Sequence, residues 1–497
     1  MSEHLISLMI FFPFLGVLCI ACLPRAQTVW LSLASSLASS ICAIILIFSM
    51  QTNQANLQAW ESFVWMVSCA VNYDMGVDGL NVLIVLLIAL LFPVLIASEW
   101  NQKVGMRGMH ALFLILQSAL IGATCAQDLF LQFFFWGLSS LPFYFLAGIW
   151  GGAQREKVAF RSMVVSSLGN FLFFAALVLI YYSVEPHSFS LKRLMGGVLG
   201  GKTFVFLESD FSVSHVAFFL MSAGLSLRVP IWPIHGWFKE MAQQACPSVF
   251  VAFAGGMIPV ALYIFARASY FLFPDLLKDY SFLIIGMGMV NLIMGGLCAF
   301  AQRSLNCLLA FVCLGEIGLV LMGLGSLDLA GVIGGIYQQL VFGLAIAGFG
   351  LFSGVIVDRT EQGVFSNEKG EKLLGGILVQ APVLSMVAGI VIASLLGFPG
   401  FAGFVSHSLV MVGSYAAHPF SILVAGSAFL LTSYYLLMMY RFVFLGQSHM
   451  KPFQDLEFRE KAYFLPIVLS LLFFGFYPKP LLDFIRPTVI MLLSMIH

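Results

Sequence analysis

The sequence predicts an all-α polytopic membrane protein, and three observations carry that prediction. Of 497 residues, 61% are hydrophobic and only 9% charged, against roughly 25% charge in soluble domains. Apolar runs of about 20 residues, the length that spans a bilayer as a helix, recur along the whole chain. Basic residues divide unevenly between alternate connections, as a fixed orientation in a membrane requires. The 23 Lys and Arg balance 23 Asp and Glu, which leaves no electrostatic case for nucleic acid as a partner.

The apolar runs fall near 5–23, 28–50, 79–98, 110–127, 129–149, 162–183, 213–238, 246–272, 279–301, 305–325, 329–356, 373–411, 419–445 and 461–478. That is about fourteen transmembrane helices, followed by an apolar tail over 481–496. Met1-Ser-Glu-His-Leu5 lacks the basic n-region of a cleaved signal, so the first helix is expected to be retained. With the N-terminus outside, sixteen Lys and Arg collect in the inner connections, Lys103, Arg228, Lys369, Lys372 and Lys451 among them, and seven, including Arg267, stay outside. Both termini are then expected to face outward, in the inner (cytoplasmic) membrane of a bacterium. The longest outer segments, 51–77 and 184–212, are too short for a soluble catalytic domain. Any chemistry is therefore expected inside the bilayer or in a partner.

Two stretches break the helical pattern at membrane depth. Leu225-Ser-Leu-Arg-Val-Pro-Ile-Trp-Pro-Ile-His-Gly-Trp-Phe-Lys-Glu240 sets Arg228 beside Pro230 and Pro233, each of which removes a backbone donor and clashes with the preceding turn. A cation there costs roughly 3 kcal/mol on insertion scales, so it marks a pathway or a buried pair unless it snorkels to the inner surface. The second break is Leu396-Gly-Phe-Pro-Gly-Phe-Ala-Gly-Phe-Val-Ser-His-Ser408. Counted in helices, the breaks occupy corresponding places in two groups of five, the sequence mark of inverted repeats built around an ion path. The expected organisation is a three-helix segment over 1–109, five-helix repeats over 110–272 and 273–445, and a C-terminal helix and tail over 446–497.

Polar side chains at depth are few: Asp128, Gln132, Arg228, Glu316, Gln338, Gln339 and His407, with His235 inside the first break. Glu316 falls in mid-helix. Paired with Arg228 it would stay ionised, and alone it would be held neutral; the pair is the favoured arrangement. His407, beside the second break, is suited to carrying a proton near neutral pH. Cys19-Ile-Ala-Cys22 has CxxC spacing but no second pair to complete a metal site. The glycines of Gly286-Met-Gly288 and Gly348-Phe-Gly-Leu-Phe-Ser-Gly354 lie in apolar helices, where they permit close packing.

Arg228-Val-Pro-Ile-Trp-Pro-Ile-His-Gly-Trp237 resembles the K-x-P-x-x-P-x-H-G-W signature of the antiporter-like subunits of respiratory complex I and of multisubunit cation/proton antiporters. The similarity is closest to the M-type subunit, the counterpart of mitochondrial subunit 4. Gly76-Val-Asp-Gly-Leu80, Asp128-Leu-Phe-Leu-Gln-Phe-Phe-Phe-Trp136, Ala299-Phe-Ala-Gln302, Leu374-Gly-Gly376, Gly397-Phe-Pro-Gly400, Arg441 and Gly475-Phe-Tyr-Pro478 extend it along most of the chain. The resemblance implies fourteen helices with broken seventh and twelfth members, and a central polar axis that carries protons. It also implies membrane-subunit partners in an NADH:quinone oxidoreductase whose flavin and iron–sulfur clusters sit in other subunits, with no cofactor in this chain.

Several positions depart from the family pattern. The fifth-helix glutamate falls on Gly137, the seventh-helix lysine on Arg228, and the eighth-helix lysine on Pro259. The axis histidines of the tenth and eleventh helices fall on Glu316 and Phe342, and the twelfth-helix charge falls on His407. A lysine relay needs an ammonium that can release its proton to a neighbouring base. A guanidinium cannot do this, so the expected function is a complex I-like membrane subunit, within a translocase, whose own proton path is impaired. Two alternatives are a non-conducting scaffold in a related inorganic-carbon-uptake or hydrogenase complex, and a subunit of a cation/proton antiporter.

Overall fold

The computed structural model describes residues 4–102, 104–196, 198–206, 209–360, 363–366, 373–446 and 452–496. Lys103, Lys369, Lys372 and Lys451, four of the cations assigned to inner connections, lie outside the described residues.

Helices α1 (Leu5–Cys22) and α2 (Thr28–Ser49) pack as a pair. The following segment is not helical: β1 (Gln58–Met66) and β2 (Val71–Val77) form an antiparallel hairpin. Its buried Glu61 accepts from the backbone amides of Ile6 at 2.8 Å and Ser7 at 3.2 Å. A carboxylate there satisfies amides that a helix start leaves free, so the hairpin anchors α1. A second hairpin, β3 (Thr203–Phe206) with β4 (Ser209–Ser212), lies in the other long connection. The fold is the helical membrane bundle expected from sequence, and in these two connections backbone that leaves the bundle pairs with itself.

Between the hairpins run α3 (Val82–Ser98), α4 (Met106–Cys125), α5 (Leu129–Leu138), α6 (Ser140–Ile149), α7 (Arg155–Ser183) and the single turn α8 (Leu191–Leu194). The first broken stretch is α9 (Val213–Arg228) and α10 (Gly236–Gln244). Next, α11 (Pro247–Val251) passes through a π-helical segment, Ala252–Met257, into α12 (Ile258–Leu272). The short α13 (Pro274–Asp279) leads to α14 (Ser281–Phe300), α15 (Leu305–Gly325) and α16 (Leu329–Thr360). After α17 (Ile377–Gln380) comes the second broken stretch, α18 (Pro382–Leu395) and α19 (Ala402–Ala417). The chain closes with α20 (Ser421–Val443), α21 (Phe458–Phe476) and α22 (Lys479–Ser494), the last bent by 70° from α21.

Among the described residues, ten helices are long and apolar enough to cross a membrane, or eleven if the bent α21–α22 pair counts as one. The fourteen expected from sequence also count α3, which has only 17 residues, and the two broken stretches. Helices α3, α12, α15 and α16 are buried on nearly all sides, whereas α2, α7, α14 and α20 keep one apolar face open. Helices that are apolar all round belong in the core, and those with one open apolar face suit contact with lipid.

Small residues set the closest approaches. A Cβ on Gly288 would stand 2.7 Å from the Gly318 carbonyl oxygen, and one on Gly350 would stand 2.3 Å from Val251 Cγ2. Only glycine lets these backbones come so near.

Candidate functional site

Helix α9 stops at Arg228, and the chain is extended at Val229 before the prolines. The backbone freed by this break finds its partner on α14. The Trp232 amide donates to Asn291 Oδ1 at 2.7 Å, and Asn291 Nδ2 donates to the Pro230 carbonyl at 3.4 Å. Asn291 is fully buried in an otherwise apolar helix. A lone amide in such a run was the available sequence signal, because a buried amide needs polar partners.

Arg228 is only 2% exposed, so its guanidinium does not reach out to solvent. Its Nη1 donates to the Trp136 carbonyl at 3.2 Å and to Asn170 Oδ1 at 3.5 Å, and its Nη2 donates to Ser139 Oγ at 3.2 Å. The guanidinium lies 3.8 Å from the centre of the Trp136 ring, a cation–π contact. Every one of these acceptors is neutral. The favoured pair with Glu316 is not formed: among the described residues no carboxylate lies within ion-pair distance of Arg228. Open space surrounds the Cα of Gly137, where the family pattern places a carboxylate.

Glu316 instead belongs to a cluster built from α15, α16 and α19. Gln338 Nε2 donates to Glu316 Oε2, and His407 Nε2 stands 3.5 Å from the same oxygen. All three side chains are buried. The second break closes over this cluster: Gly397 has a positive φ of 62°, and a Cβ there would sit 2.7 Å from His407 Nδ1. That nitrogen has no hydrogen-bond partner among the described residues, nor do Gln338 Oε1 and Gln339 Oε1. At 3.5 Å the acid and the imidazole stand beyond the reach of direct proton transfer, about 2.6–3.2 Å, so a proton would pass between them only through a bridging water.

Pro259 follows the π-helical segment, whose wider turn relieves the clash of a proline ring with the preceding turn. There Gly255 meets the α16 backbone, a Cβ on it lying 2.9 Å from the Gly343 carbonyl oxygen, and Phe342 beside this contact is fully buried.

Three further residues from the sequence list stand apart from the cluster. Asp128 caps α5, its Oδ1 accepting from the amides of Phe130 at 2.9 Å and Leu131 at 3.1 Å. Gln132 Nε2 donates to the Ala123 carbonyl at 3.4 Å. His235 packs its ring near Phe311 at the first break.

One buried ion pair was missed. Arg267 Nη1 lies 2.5 Å from Asp78 Oδ2, and Arg267 Nε donates to Tyr263 Oη at 3.1 Å. Asp78 also receives the amides of Leu80 and Asn81. Arg267, counted with the outer-side cations from sequence, is buried inside the bundle. The signal was present, since both residues lie at the edges of apolar runs, but nothing in one dimension pairs them.

Residues 126–432 match the family described as NADH:quinone oxidoreductase/Mrp antiporter, TM. The chain is 27% identical to NADH-quinone oxidoreductase subunit M of Rhodobacter capsulatus, over all of this chain and 97% of the relative. It is 31% identical to NAD(P)H-quinone oxidoreductase chain 4 2 of Thermosynechococcus vestitus, over 90% of this chain and 84% of the relative. Its fold superposes, with a TM-score of 0.85 and 22% identity across the whole of both chains, on a chain of respiratory complex I from Thermus thermophilus.

Proposed function

The chain belongs to the NADH:quinone oxidoreductase/Mrp antiporter membrane-subunit family, and from that membership we propose that it is the M-type, antiporter-like subunit of a complex I-like assembly. In that role it is an integral membrane protein bound to other membrane subunits and to lipid. It helps couple electron transfer to quinone with proton translocation. Flavin and iron–sulfur clusters belong to partner subunits, and this chain holds no cofactor. We place it in a bacterial inner membrane with fourteen crossings and both termini outward, its two five-helix units covering 110–272 and 273–445.

Its own proton path is interrupted. The observation that carries this reading is Arg228, a permanent cation held by a carbonyl, an amide oxygen and a hydroxyl, with no carboxylate within ion-pair distance among the described residues. Proton relay along an axis needs groups that change charge in turn. A guanidinium fixed among neutral acceptors does not. The test is the proton-to-electron ratio of the assembled complex in sealed vesicles. Arg228→Met is expected to leave the ratio unchanged, and a fall would overturn an interrupted path.

The Glu316–His407 contact favours a second, narrower reading, in which a proton moves locally within the second unit. His407→Ala separates the two: a lower ratio favours local transfer, and an unchanged ratio favours a docking subunit that conducts nothing. Co-purification decides the host complex. Flavin and iron–sulfur subunits that oxidise NADH support the complex I reading, while carbon-uptake, hydrogenase or antiporter partners support the alternatives.

A further inference from the structure

Asn291 holds two loose ends of the first break at once, and its place on α14 extends that grip to the second. Pro230 and Pro233 prevent a continuous helix between α9 and α10, so the Trp232 amide and the Pro230 carbonyl lack helical partners. Asn291 serves both: its Oδ1 accepts from the amide at 2.7 Å, and its Nδ2 donates to the carbonyl at 3.4 Å. The side chain is fully buried, and it is the one amide side chain in α14.

The same stretch of α14 meets α15 with no side chain between the backbones. Gly288 and Gly295 lie a turn to either side of Asn291. A Cβ on Gly288 would stand 2.7 Å from the Gly318 carbonyl oxygen, and one on Gly295 would stand 2.6 Å from the Gly315 nitrogen. Gly315 and Gly318 bracket Glu316. Leu292, next to Asn291, is buried in a cluster with Leu319 of α15 and Val410 of α19. Phe429 packs on that cluster, and its ring centre lies 4.9 Å from that of His407. Backbone-to-backbone contacts leave no rotamer to absorb a displacement, and close-packed interiors transmit strain. A shift of the break that pulls on Asn291 is therefore carried toward Glu316 and His407 instead of being lost in side-chain motion.

We propose that Asn291 is a positioning residue: by clamping the break beside Arg228 to α14, it sets the placement of Glu316 against Gln338 and His407. The inference joins two regions within this chain and holds whichever complex the chain serves. The test uses the full chain in mild detergent. The infrared carboxyl band of Glu316, identified by its loss in Glu316→Gln, reports the hydrogen bond that Gln338 gives it. Asn291→Ala removes both bonds to the break, and the Glu316 band is expected to shift while hydrogen exchange over 229–235 rises. Asn291→Asp keeps an oxygen for the Trp232 amide and is expected to return both readings toward wild type. If the alanine chain fails to fold, Asn291→Ser, whose shorter side chain cannot span both partners, takes its place with the same expectations. Band and exchange should change together in every variant. An unmoved Glu316 band in the alanine or serine chain would overturn the proposal, and so would a band that stays shifted in Asn291→Asp after exchange over 229–235 has recovered.

Discussion

Asp78 and Arg267, 189 positions apart, meet with Oδ2 and Nη1 separated by 2.5 Å and both side chains buried. The contact ties the start of α3 to the last turns of α12. A buried pair contributes little over an apolar substitute, yet removing one member leaves the other charge stranded.

Asp78→Asn is therefore expected to cost about 3–5 kcal/mol, seen as a lower melting temperature and a poorer yield of the purified chain. The double variant Asp78→Leu with Arg267→Met should recover most of that loss. A double variant as unstable as the single one would show that the pair is not the cause.

Arg228 leads to the opposite expectation, because among the described residues no opposite charge compensates it. Arg228→Met keeps a long flexible side chain against Trp136 and removes an uncompensated buried charge. Thermal stability should stay level or rise. A clear loss would mean that the contacts to Ser139, Asn170 and Trp136 outweigh desolvation.

At Glu316 the hydrogen-bond partner is Gln338, and the nearby basic group is His407 at 3.5 Å, not Arg228. Glu316→Gln retains an acceptor for Gln338 Nε2 and strands no charge, so assembled yield should hold. Glu316→Leu leaves the buried donor unpaired and is expected to cost about 1–3 kcal/mol. The readout is the melting temperature of both variants. A severe defect in Glu316→Gln would instead indicate an ionised carboxylate paired with a cation.

Asp455, in the loop before α21, gives a pH-dependent case. Partial burial opposes its charge, but its carboxylate accepts from the amides of Val383 at 3.0 Å, Leu384 at 3.1 Å and Leu456 at 2.7 Å, which hold its pKa below the usual carboxylate range. A depressed carboxyl stabilises the fold fully above the unfolded pKa of about 3.9 and loses that contribution as pH falls through the lower folded value. Asp455→Asn should lower the melting temperature near neutral pH, and that difference should shrink at acid pH, below the unfolded carboxylate pKa of about 3.9. A gap that is the same at both pH values would rule out this linkage.

The sequence by itself determined the helical membrane architecture, because composition and run length report directly on the solvent a chain can tolerate. It also located both breaks: proline and glycine act on the backbone within a turn or two, so Pro230, Pro233 and Gly397 show their effect without any neighbour. The matching motifs placed the chain in its family for the same reason, since each is a local pattern. The partners of the buried charges were decided only in three dimensions. Arg228 found Ser139 and Trp136, Glu316 found Gln338 and His407, and Arg267 found Asp78, each across tens to nearly two hundred positions. A side chain's charge is written in the chain, but the energy of burying it depends on which groups the packing of separate helices brings within about 3 Å.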